Sequence, residues 1–194
     1  MNFIKRTYNW TLEKAQHKNA KWYLSLISFA ESSFFPIPPD ILLIPMALAS
    51  KTKALFYAFI CTLSSVLGGM FGYAIGYFFF NSIGLYIVEF YHLESSFSIF
   101  ENYYKEFGIL IVLGAGITPF PYKFITIASG VFGLNIYLFV IVSIIGRGLR
   151  FYLIAILLYF FGEKIKLFID KYFNILSITF FILLVGSVFI IRFL

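Results

Sequence analysis

The sequence predicts an all-α integral membrane protein, an inverted repeat of two re-entrant helical hairpins each followed by a transmembrane helix, with one more transmembrane helix at the C-terminus. Three observations carry this prediction. Hydrophobic residues make up 61% of the 194 residues and charged residues only 12%, against about 25% charged in soluble domains. Two apolar stretches are each broken by clustered prolines, and the clusters superpose at a constant offset of 83 residues, Pro36-Ile-Pro38-Pro39-Asp40 on Pro119-Phe-Pro121-Tyr122-Lys123. Internal repeats of this kind are a signature of transporter folds. The basic residues, finally, distribute asymmetrically about the apolar runs.

Residues 1–21 place Ile4, Tyr8, Leu12 and Ala15 along one helical face, with Lys5, Arg6, Glu13, Lys14 and Lys18 around it. This predicts a basic amphipathic helix on an anionic membrane surface, with a solvated tail as the plainer alternative. Polar and charged residues run through the first twenty positions, so no signal-peptide core is expected before the first apolar run. His17 has no second ligand nearby, and no metal is expected there.

Residues 22–50 are apolar but broken at Pro36, Pro38 and Pro39, and again at Pro45. An interior proline removes a helix hydrogen bond and clashes with the preceding turn. Each arm of about a dozen residues is roughly 18 Å of helix, half of a ~30 Å hydrocarbon core, which suits a re-entrant hairpin. Glu31 and Asp40 flank the break. A carboxylate in an apolar region must be buried in protein or line a cavity.

The stretch Ala54 to Val88 has no charged residue, and a full span is expected over 54–80. Gly68, Gly72 and Gly76 clear one helical face for close packing of another helix. Cys61, the lone cysteine, is expected to be a small buried hydrophobe. Residues 81–106 carry Glu89, Glu94, Glu101 and Glu106 against Lys105 alone and are expected to form an interfacial connector.

Residues 107–134 repeat the hairpin, with Pro119 and Pro121 at its break and Ser129 and Gly130 in its return arm. Residues 135–162 form the second span, which holds Gly146-Arg147-Gly148-Leu149-Arg150. Arg147 lies about 18 Å along that helix, near a bilayer centre, with Arg150 at i+3 on the same face. A last span is expected over 173–191.

With both hairpins re-entrant, the lysines and arginines of the N-terminus, Lys51, Lys53, Lys164, Lys166 and Lys171 share one side, and the acidic connector takes the other. That predicts a multi-pass protein of the cell (inner) membrane with a cytoplasmic N-terminus. The hairpin tips then meet near the midplane. Asp40 and Lys123, equivalent by the repeat, are expected close together there, with Arg147 and Arg150 facing them and Glu31 on the entering arm. Three cations against two carboxylates make a net positive cavity suited to an anionic group such as a lipid phosphate, and the carboxylates could exchange protons. A purely structural role, in which the charges only neutralise one another, stands beside this reading.

At these residues the chain resembles the DedA family, also called the VTT or SNARE-associated family, and most closely its YqaA-like branch. The resemblance rests on Phe29-Ala-Glu31 with Pro36-Ile-Pro38-Pro39-Asp40, on Gly116-Ile-Thr-Pro119-Phe-Pro121-Tyr122-Lys123 leading to Ser129-Gly130, and on Gly146-Arg147 with Arg150-Phe151. It implies two opposed re-entrant hairpins, membrane-embedded acids and arginines needed for activity, and roles in lipid flipping or scrambling and in envelope homeostasis dependent on the proton-motive force. By position, Glu31 and Asp40 match the family's acidic pair, and Arg147 and Arg150 its basic pair. Gly116 and Ile117 stand where better-known members have an arginine, and Lys123 where an arginine is common.

The function expected is therefore a phospholipid or lipid-phosphate flippase or scramblase, with membrane lipids and protons as partners. A proton-coupled transporter of a small ion or solute is the alternative. An enzyme is not expected, since neither histidine lies in an apolar run and no nucleophile with a nearby base can be named. A membrane-embedded lipid enzyme and an assembly scaffold remain lesser alternatives. No cofactor, metal or nucleic acid is expected, and homo-oligomerisation is left open.

Overall fold

Prolines decide where the first helices stop and start. Helix α1, Ala20–Ser33, ends as Phe34 leaves helical geometry at φ −150°, and the Phe34 and Phe35 amides both donate to the Ala30 carbonyl, at 2.9 and 2.8 Å. A residue before proline is sterically kept from the α region, so Phe35 cannot carry the helix on. Helix α2, Asp40–Ala49, starts after Pro39, whose φ of −65° already suits a helix, and its first turn carries Asp40. The chain is seen in a computed structural model, which describes residues 19–162 and 164 apart from 36, 91, 93 and 119. The amphipathic helix expected over 1–21, but for its last three residues, the C-terminal span expected over 173–191, and the tip residues Pro36 and Pro119 lie outside the described residues.

Pro45 was expected to break the return arm and does not. Helix α2 runs through it, with Pro45 buried at its sixth position. The cost is one backbone hydrogen bond and a local clash, offset because Leu43, Met46 and Ala47 beside it are buried in the core.

A short 3-10 turn at Lys51–Lys53 leads into α3, Ala54–Phe79, of 26 residues. A wide π-helical turn, Phe80–Gly84, and α4, Leu85–Phe90, follow. His92, in the left-handed region at φ 52°, turns the chain. Helix α5, Glu94–Ile117, then runs unbroken from the expected connector into the expected hairpin arm, with no break in the helix at 106/107. The acidic segment continues as helix because no proline or glycine interrupts it before Gly108, and its charges pair along it, Lys105 Nζ lying 2.7 Å from Glu101 Oε1 at i,i+4.

After the second break comes α6, Tyr122–Val131. Gly133 supplies the positive φ of the next turn, at 64°, and the Asn135 side chain accepts from the Tyr137 and Leu138 amides at 2.9 and 3.2 Å to cap the last helix. That helix, α7, spans Ile136–Gly162. The described residues are thus almost wholly helical, without a strand. Two stretches, Lys51–Phe79 and Ile136–Gly162, are long and apolar enough to cross a membrane.

Helix directions follow from who meets whom. Ser25 meets Ser64 and Ser33 meets the Gly68 carbonyl, so α1 and α3 run the same way and α2 carries the chain back to the end where it began. Tyr122 lies at Gly69 and Gly130 at Tyr73 and Tyr77, so α6 also runs with α3. Helix α7 runs against them: Phe139 packs on Tyr73, while Phe151, Ala155 and Leu158 join the core of Leu43, Met46, Ala54, Ala58 and Cys61. A second core gathers Val112, Ala115, Tyr122, Phe139 and Val142. The glycines of α3 make this closeness feasible. A methyl group at Gly68 would overlap the Phe29 carbonyl, at Gly72 the Thr126 hydroxyl, and at Gly76 the Ile127 carbonyl.

Candidate functional site

Between the two apolar cores lies a polar layer centred on Arg147, whose side chain is fully buried. An unpaired guanidinium there would be very costly, because removing charge from water is repaid only by close pairing and complete hydrogen bonding. Its Nη2 donates to Glu31 Oε2 at 2.5 Å and its Nε to Ser65 Oγ at 2.6 Å. The rings of Tyr122 and Phe151 lie 4.9 and 4.7 Å from the guanidinium carbon, an arrangement that suits a planar, weakly hydrated cation. Ser32 Oγ adds a bond of 3.1 Å to Glu31 Oε2 and one of 2.6 Å to Ser65 Oγ.

Arg150, one turn on, pairs through Nη2 with Asp40 Oδ2. Its Nη1 donates to the Thr118 carbonyl at 3.2 Å, inside the second break. Arg150 therefore ties the start of α2 to the end of α5, and the two broken stretches meet at its guanidinium. Both side chains keep some exposure, 14% for Arg150 and 20% for Asp40.

Of the five expected charged residues, Glu31, Asp40, Arg147 and Arg150 converge and Lys123 does not. The expected pairing of Asp40 with Lys123 is replaced by that of Asp40 with Arg150. Lys123 Nζ lies instead 5.3 Å from the ring of its neighbour Phe124. Helix phase is the same for both, since Pro39, Leu43, Met46 and Ala47 are buried just as their counterparts Tyr122, Thr126, Ser129 and Gly130 are; what differs is the partner, α7 bringing Arg150 to Asp40. The buried face of α6 is Tyr122, Thr126, Ser129 and Gly130, and Lys123 sits roughly 100° around the helix from Tyr122. The expected net positive cavity accordingly becomes two matched pairs with Lys123 apart. Of the tip prolines, Pro39 is buried while Pro38 and Pro121 are exposed.

Sequence reasoning assigned no role to Ser32, Ser65, Tyr122, Phe151 or Thr118. A signal was present for the serines, which recur at helical spacing in an apolar run as Ser25, Ser28 and Ser32 and stand as an adjacent pair in another, Ser64 and Ser65. Tyr122 is further anchored by a 2.6 Å bond between its hydroxyl and Ser143 Oγ. Among the described residues no group of three His, Cys, Asp or Glu side chains is placed to hold a metal.

An uncharacterized protein of Haemophilus influenzae is 34% identical to this chain over 192 residues, covering 99% of the chain and all of the relative. An uncharacterized protein of Histophilus somni is 34% identical over 167 residues, covering 84% and 85%. The chain belongs to their family. The first match runs nearly end to end, so the likeness extends over both proline-broken stretches of this chain and over α7. No family model matches the chain, and no solved structure matches it.

Proposed function

We propose that the protein is a multi-pass inner-membrane translocase of phosphate-bearing lipids, of the DedA type that its sequence resembles, with its N-terminus in the cytoplasm. The observation that carries the reading is the junction of Glu31–Arg147 and Asp40–Arg150 where the two broken stretches meet. Parallel α1 and α3 joined by a returning α2 are what a re-entrant hairpin requires, and an α5–α6 pair that approaches from the other end of α3 supplies its inverted counterpart. Helix α7 turns Ile141, Ile145, Leu149 and Leu153 outward, each about half-exposed. Such a stripe favours lipid over water.

Ion pairs in this position contribute little net stability compared with apolar side chains, which favours a working role. A phosphate matches a guanidinium as well as a carboxylate does. In this mechanism the lipid phosphate takes the place of a carboxylate on an arginine at the junction while the acyl chains stay in the bilayer, and the displaced carboxylate is free to take up a proton. Liposomes reconstituted with the purified protein and labelled anionic phospholipids test it. Headgroup crossing should be faster than in protein-free vesicles, and equal rates would sink the reading.

Asp40 Oδ1, buried without a hydrogen-bond partner, favours a second reading, proton-coupled transport of a small ion or solute. Flux driven by a pH gradient, lost in Asp40→Asn and indifferent to lipid identity, would support that reading over the first.

A further inference from the structure

Arg147 and Arg150 each meet one carboxylate, yet they are held differently. Arg147 belongs to a closed ring: Nε to Ser65 at 2.6 Å, Ser65 to Ser32 at 2.6 Å, Ser32 to Glu31 Oε2 at 3.1 Å, and Nη2 to the same oxygen at 2.5 Å. Proton directions follow from the inventory of donors. Ser32 gives its proton to the carboxylate, so Ser65 donates to Ser32 and accepts from Arg147 Nε. Arg147 cannot leave Glu31 without opening that ring and pulling away from Tyr122 and Phe151. Its Nη1 alone lacks a hydrogen-bond partner, and none of the side chain's surface is exposed for a headgroup to reach.

Arg150 has no such ring. One carboxylate oxygen and one break carbonyl accept its hydrogen bonds, the Phe151 ring lies 5.7 Å from its guanidinium carbon, the other oxygen of Asp40 is unpartnered, and both side chains are partly exposed. Its hydrogen-bond partners come from the two breaks themselves, so an anion that displaced Asp40 would enter between α2 and α5.

We infer that the two arginines divide the work: Arg150 receives the lipid phosphate in exchange for Asp40, whereas Arg147 is a positioning residue that never touches substrate and is kept in place by Ser65. This rests on the translocase reading and narrows it from a shared cationic cavity to one exchangeable arginine.

The test is a titration of the purified, full-length protein in detergent with short-chain phosphatidic acid, followed by thermal unfolding, beside headgroup crossing in liposomes. Arg150→Gln should raise the half-stabilising phosphatidic acid concentration at least about tenfold, the loss expected for one charge-assisted contact. Ser65→Ala leaves Arg147 Nε buried and unpaired, and should lower Tm by roughly 4–10 °C while holding that midpoint within about twofold and slowing maximal crossing. Arg147→Lys should behave as Ser65→Ala does, and Ser65→Ala decides the matter if Arg147→Lys does not fold. An equal midpoint shift in Ser65→Ala and Arg150→Gln would overturn the assignment. So would an unchanged midpoint in Arg150→Gln, no stabilisation of the wild type by phosphatidic acid, or stabilisation by inorganic phosphate alone. Crossing that persists while the midpoint ignores Arg150→Gln defeats this assignment and spares the translocase reading. A midpoint shift without any wild-type crossing does the reverse.

Discussion

The Thr126 hydroxyl donates to the Ser32 carbonyl at 2.9 Å, fastening α6 to the last turn of α1 directly over Gly72. Carbonyls in the last turn of a helix have no partner within it, so this side chain satisfies one of them from the other proline-broken stretch. The hydroxyl also lies 2.9 Å from the Lys123 carbonyl. Thr126→Val keeps the shape and removes the bond, and should cost about 1 kcal/mol. Thermal unfolding in detergent should show Tm lower by roughly 2–4 °C, with Thr126→Ser close to wild type.

The glycine positions give a sharper contrast. Alanine at Gly76 meets the Ile127 carbonyl and at Gly68 the Phe29 carbonyl, both backbone atoms that can move only with their helices. Each substitution should destabilise by about 1–3 kcal/mol or more. Gly114→Ala has nothing within 4 Å to strike and should be neutral or stabilising by up to ~1 kcal/mol through helix propensity. Comparing the three melting temperatures checks this, and equal effects would contradict the packing described.

Removing Glu31's charge leaves Arg147 without compensation in a site from which water is excluded. Glu31→Gln should therefore cost about 3–5 kcal/mol, seen as loss of monodisperse protein on size-exclusion chromatography. Removing both charges should recover much of that loss, so the double variant Glu31→Gln, Arg147→Met should be folded while inactive in lipid crossing.

Topology is accessible to thiol labelling in a Cys61→Ser background, since Cys61 is buried. Lys53, before α3, and Tyr137, 77% exposed at the start of α7, lie at opposite ends of the bundle. Lys53→Cys should react with impermeant reagent from the cytoplasmic face and Tyr137→Cys from the other. Labelling of both from one face would remove the opposed arrangement of the two broken stretches.

Much of this was legible in the chain because it depends on local chemistry. Pro36, Pro38 and Pro39 had to stop a helix, and α1 and α2 end and begin within a few residues of them. The glycine spacing along α3 announced close approach but not its partners, since Phe29, Thr126 and Ile127 come from two other helices. Pro45 misled because the loss of one hydrogen bond was weighed without the burial of its neighbours. The acidic stretch before Glu106 gave no sign that one helix would run from Glu94 through to Ile117, which i,i+4 pairing of Glu101 with Lys105 helps it to do.

Composition, proline chemistry and helical periodicity are properties of neighbours in sequence, and so the sequence by itself determined the helical class, the two broken stretches, the two long apolar helices and five candidate charges, of which four meet at the junction and Lys123 does not. Only the tertiary structure decided who pairs with whom. The buried faces of α2 and α6 share one phase along the repeat, so nothing local separates Asp40 from Lys123; α7 does, by bringing Arg150 to Asp40. Ion pairing depends on distance and direction through space, which α7, running back against α3, supplies by setting Arg147 beside Ser65 and Glu31.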